Sequence, residues 1–106
     1  MMTRAEMMAQ IEHLKQQLAG CYAAEKIILF GSLAQDMGGG RDVDLLIIKD
    51  DVPYTGTERI RELYRLMETD LPVDYLVYRP SEVQERLALG DPFLENIFQE
   101  GIVLHG

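Results

Sequence analysis

Cysteine is almost missing from this chain: one thiol, at Cys21, leaves no internal disulfide framework to stabilise the fold. That scarcity suits a reducing compartment, and a cytoplasmic location is the expectation. Positive charge is also short, with 10 Lys and Arg against 18 Asp and Glu and a formal net charge of -8. A chain this acidic, with no basic stripe, is repelled by phosphate backbones, which argues against a polymerase gripping a duplex and against a general nucleic-acid binder. A small-molecule or protein acceptor suits it better. No uninterrupted apolar run approaches the length of a membrane-spanning helix, and the start lacks the apolar core of a signal peptide. Repeats, low-complexity tracts and linkers are absent as well. What remains is ordinary globular material, 47% hydrophobic and 26% charged. A chain of 106 residues suits one domain over residues 1–106. Such a domain buries roughly two-thirds of the surface its unfolded chain exposes, enough for a core and one cleft.

The rest of the chain is organised around Leu29-Phe30-Gly31-Ser32 and the later Asp42-Val43-Asp44-Leu45. Ile27 to Phe30 reads as a short buried strand, ending at a Gly-Ser pair placed to open a short helix. Such a turn offers unpaired backbone N–H groups, close approach at the glycine and a serine hydroxyl, all suited to phosphate. In the strand Asp42 to Ile48, alternation puts Asp42 and Asp44 on one face with Leu46 and Ile48. Neighbouring carboxylates repel unless a cation sits between them. Magnesium is the expected cation, because it takes few carboxylates and completes its shell with water and phosphate oxygens.

Around this centre the chain divides into alternating elements. Thr3-x-x-Glu6 is a capping box for a first helix carrying Met7, Met8, Ile11, Leu14 and Leu18 before Gly20. Its methionine stripe reads either as core or as a docking surface. Gly38-Gly39-Gly40 forms a loop, in which Asp36 is either a site carboxylate or simply solvated. Thr55 or Thr57 starts a second helix with Ile60, Leu63, Tyr64 and Met67 inward. Pro72 precedes a strand from Val73 to Tyr78, where Val73, Tyr75 and Val77 share one face and Asp74, Leu76 and Tyr78 the other. Asp74 therefore lies either at a solvent edge or in a site. Ser81 caps a third helix with Val83 and Leu87 inward, and Gly90 ends it. Asp91-Pro92 starts a fourth helix that buries Phe93, Leu94, Ile97 and Phe98. After Gly101, Ile102 to Leu104 returns as an edge strand.

Strand, Gly-Ser, short helix, loop and a strand opening with Asp-x-Asp resembles the nucleotidyltransferase superfamily of polymerase beta, and within it the minimal nucleotidyltransferases, or MNT family. The motifs carrying the resemblance run from about Lys26 to Tyr78, with Glu100 to Leu104 similar too. The resemblance implies an α/β fold, a small mixed sheet with helices packed mainly on one face. It implies transfer of a nucleoside monophosphate, AMP from ATP, to an acceptor hydroxyl. Asp42, Asp44 and Asp74 would be catalytic and hold two Mg2+ ions, and Gly31 and Ser32 would hold phosphates. The family's Gly-Ser-x-Ala-x-Gly often carries basic residues where Leu33, Gln35 and Asp36 stand here, and Arg41 replaces a frequent serine. Arg41 is the expected substitute phosphate contact. Small MNT proteins imply a partner toxin of the HEPN type and an antitoxin role. The alternatives are a non-catalytic MNT-like protein acting by binding alone and, less favoured, an antibiotic nucleotidyltransferase.

Overall fold

The computed structural model describes residues 2–35 and 42–106. The expectations at Asp36, Gly38 to Gly40 and Arg41 lie outside the described residues. In chain order the elements are α1 (Arg4–Ala19), β1 (Lys26–Phe30), β2 (Val43–Ile48), α2 (Gly56–Leu66), β3 (Val73–Tyr78), α3 (Pro80–Ala88), α4 (Pro92–Glu100) and β4 (Ile102–His105).

Local chemistry sets most boundaries. Thr3 and Glu6 form the capping box of α1, the Thr3 hydroxyl accepting from the Glu6 amide and Glu6 accepting from the Thr3 amide. Thr55 caps α2 in the same way through the Glu58 amide. The Asp91 carboxylate accepts from the amides of Phe93 and Leu94, with Pro92 preset for the first turn of α4. At α3 the cap is Arg79, two residues earlier than expected. Pro80, not Ser81, opens the helix, and the Glu82 carboxylate accepts from the Arg79 amide at 2.8 Å.

The four strands form one mixed sheet in the order β3-β2-β1-β4. β1 lies antiparallel to both β2 and β4, whereas β2 and β3 run parallel, joined by the α2 crossover. Alternation then divides the strand residues between two faces. Ile27, Leu29, Val43, Leu45, Ile47, Val73, Tyr75 and Val77 pack under α1 and α2 with Ile11, Leu14, Leu18, Leu63 and Met67. Ile28, Leu46 and Ile48 pack under α3 and α4 with Val83, Leu94 and Ile97. Each such side chain contributes about 1.5–3 kcal/mol when removed from water.

The mixed sheet of an α/β domain is thus as expected, but the helices are shared between the two faces rather than gathered mainly on one. The reason is that Leu46 and Ile48 point away from α1 and α2 and need their own cover. Met7 and Met8 are half-buried against the larger cluster. Three inward assignments are corrected: Tyr64 on α2 is 58% exposed, and Phe93 and Phe98 on α4 are 51% and 38% exposed.

The buried position near the start of α2 belongs instead to Arg59, only 4% exposed. Its guanidinium donates to the carbonyls of Pro53 (2.6 Å), Tyr54 (3.1 Å) and Val77 (3.1 Å) and pairs with Glu82 at 2.7 Å. That network ties α2 to α3 across the end of β3. No helix among the described residues is long and apolar enough to cross a membrane.

Candidate functional site

At the end of the sheet where β1 finishes and β2 and β3 begin, Asp44 and Asp74 share the α3 and α4 side, and Asp42 is near enough for its charge to act on Asp44. Asp44 is the second residue of β2 and lies in register with Asp74 on β3 and with Phe30 on β1. In-register neighbours on one face have their Cβ atoms about 4.5–5.5 Å apart. Asp42 precedes β2 by one residue and is exposed, as is Asp74, while Asp44 is half-buried.

The electrostatics reflect that crowding. The Asp44 carboxyl is raised above the ordinary carboxylate value, first by burial, then by the charge of Asp74 and of Asp42. Asp74 is exposed near the start of an outer strand, and it stands beside Asp44.

Gly31 follows β1 directly, with φ +79°, a conformation that side chains rarely adopt. Glycine was expected here to let a phosphate approach. The structure gives it a nearer neighbour, because a Cβ at Gly31 would collide with the Asp44 carboxylate oxygen Oδ2. Ser32 is exposed beside it. From Ser32 to Gln35 the chain forms a turn in which Leu33 is buried, and the rest of the short helix expected after Ser32 lies outside the described residues. From the start of α1 the Arg4 guanidinium reaches the Leu33 carbonyl at 3.5 Å. No local pattern could have signalled this approach, since the residues are far apart in sequence. Arg41, the expected substitute phosphate contact, lies outside the described residues.

Beside Asp44 an aromatic wall was also missed. The rings of Phe30 and Phe93 meet edge to face, centroids 5.9 Å apart. Alternation along β1 puts Phe30 on this face, but only the position of α4 shows that Phe93 meets it. Among the described residues, no group of three or more His, Cys, Asp or Glu side chains is close enough to enclose a metal ion. The donor set nevertheless suits a hard divalent cation, because a half-buried carboxylate flanked by two others carries a repulsion that such a cation relieves.

Residues 8–105 match the family profile of the nucleotidyltransferase domain. The chain belongs to that family. No curated protein matches the sequence. A nucleotidyltransferase domain is built for nucleotidyl transfer, and such domains generally use nucleoside triphosphates and divalent metals. The crystal structure of a candidate nucleotidyltransferase from Sulfolobus solfataricus shares the fold, with a TM-score of 0.66 and 17% identity over 94% of this chain and 80% of that one.

Proposed function

We propose that this nucleotidyltransferase domain moves AMP from ATP onto a hydroxyl of a partner protein, in the manner of the MNT antitoxins it resembles, with a HEPN-type toxin as acceptor. The observation that carries the reading is the in-register pair Asp44 and Asp74, with Asp42 beside them and the Gly31-Ser32 turn at the same end of the sheet. Asp42 and Asp44 would hold the divalent metal of the triphosphate, and Asp74 would share a second with the acceptor. Bound there, the metals supply charge neutralisation at the entering and leaving oxygens and acidify the acceptor hydroxyl.

The chain's own residues have separable tasks. The Ser32 hydroxyl and the turn amides bind phosphate oxygens of the leaving pyrophosphate. Asp44, half-buried between two strands and against Gly31, would hold the metal through which the triphosphate is positioned. Exposed Asp74 faces the incoming hydroxyl. In the transfer the acceptor oxygen bonds to the α-phosphorus, the bond to pyrophosphate breaks, and the hydroxyl proton leaves to water or carboxylate.

Leu33 and Gln35, standing where the resembled family often carries basic residues, favour one other reading, a protein that binds its partner without transferring anything. Incubating the pure protein and the product of its neighbouring gene with magnesium and α-labelled ATP separates the two. Label on the neighbour that disappears with Asp42→Asn supports transfer; a stable complex carrying no label refutes it in favour of binding alone.

A further inference from the structure

The wall of the site on the β1 side is aromatic. Phe30 stands opposite Asp44 and meets Phe93 edge to face, with planes at 86°. Phe30 is packed against the smaller core cluster, while Phe93, on the first turn of α4, stays 51% exposed. Leu94 and Ile97 already supply the buried face of α4, so core filling does not account for the Phe93 ring. Edge-to-face contact holds that ring in a fixed orientation and leaves much of it in water. It lies at the strand that ends in the Gly31-Ser32 turn, one strand from Asp44.

A triphosphate whose phosphates rest at Gly31 and Ser32, with its metal at Asp44, carries its base on a short ribose tether. Bases stack on exposed aromatic faces whatever their identity, since each has a π-face. We propose that the nucleobase of the bound triphosphate stacks on Phe93, with Phe30 positioning the ring. This rests on the nucleotide-site reading above and adds where the base goes and how it is selected. Selection by stacking area favours purine over pyrimidine triphosphates and separates adenine from guanine weakly. The Asp91 carboxylate already accepts from the Phe93 and Leu94 amides, so the start of α4 has no vacant anion site and Phe93 contributes through its ring.

Titration calorimetry with Mg-ATP and with Mg-tripolyphosphate, on the wild type and on Phe93→Ala, tests the idea. The ATP Kd is expected to rise roughly five- to a hundredfold in the variant, with tripolyphosphate affinity unchanged. An equal change for both ligands, or none, overturns the stacking. Wild-type protein that binds neither ligand overturns the nucleotide site itself, a distinct result. Phe93→Trp gives an independent readout, because the chain has no tryptophan of its own. Its emission should be quenched by Mg-ATP and not by Mg-tripolyphosphate. Calorimetric ATP binding without quenching refutes the proposal.

Discussion

Replacing Gly31 by alanine should damage this protein through Asp44, and a double-mutant cycle measures how much. Two costs arise at one position. A side chain at φ +79° is strained by about 1–2 kcal/mol, and the new Cβ must displace the Asp44 carboxylate that fills its space. Forcing packed groups apart costs about 1–3 kcal/mol, so the whole loss is about 2–5 kcal/mol. At roughly 2.1 cal/mol/K of unfolding entropy per residue, a domain near this size loses about 10–20 °C in Tm. In an Asp44→Ala background only the backbone strain remains. Chemical denaturation of the wild type, both single variants and the double variant should therefore give a coupling of about 1–3 kcal/mol. Equal costs of Gly31→Ala in both backgrounds, within about 0.5 kcal/mol, would refute the claim that glycine is needed here to seat the carboxylate.

Asp44→Asn should stabilise the ligand-free fold by about 0.2–1 kcal/mol at pH 7, because it removes a like-charge pair across strands. Since the folded-state Asp44 carboxyl is raised, that gain appears as pH climbs above the ordinary carboxylate range and vanishes below it; melts over pH 3–7 check the sign. Glu82 behaves oppositely. Its hydrogen bond from Arg59 is the main cause holding its carboxyl down at about 2, so its contribution is present above the ordinary value and lost as pH falls towards 2. Glu82→Gln should cost roughly 1–2 kcal/mol at pH 7, discounted because the side chain is 34% exposed, and the gap to wild type should close in acid. Magnesium with ATP at a hundredfold excess over Kd should add about 2.7 kcal/mol, a melting shift on the order of 10 °C that Asp42→Asn and Asp44→Asn abolish. Asp74→Asn should keep that shift yet slow single-turnover transfer at least about a hundredfold.

Features that depend on neighbours in sequence were readable in advance. The capping box at Thr3, the helix start at Thr55, the proline-led start at Asp91-Pro92 and the alternation of β2 and β3 each depend on a few adjacent residues, and each forms as read. Alternation also correctly put Asp44 and Asp74 on corresponding faces. It could not give their register, which depends on how the α2 crossover brings β3 alongside β2. Features made by distant segments were illegible for the same reason. Arg59 occupies a helix position that polarity assigns to solvent, and only the carbonyls of Pro53, Tyr54 and Val77 together with Glu82 make its burial tolerable. Phe93 and Phe98 look like core by hydrophobicity, yet Leu94 and Ile97 fill the available space first.

Asp74 belongs to β3, the outermost strand, which is hydrogen-bonded in the sheet to β2 alone. Its partner in register there is Asp44, so the one seam holding β3 carries a repelling pair near its open end. An electrostatic wedge of this kind favours fraying that starts at Val73 and spreads inward, and a cation spanning the pair would turn the wedge into a clasp. Occupancy would then be written into the lifetime of the seam. Amide hydrogen exchange in β3 should slow with magnesium and nucleotide far more than in β1, which is paired on both sides.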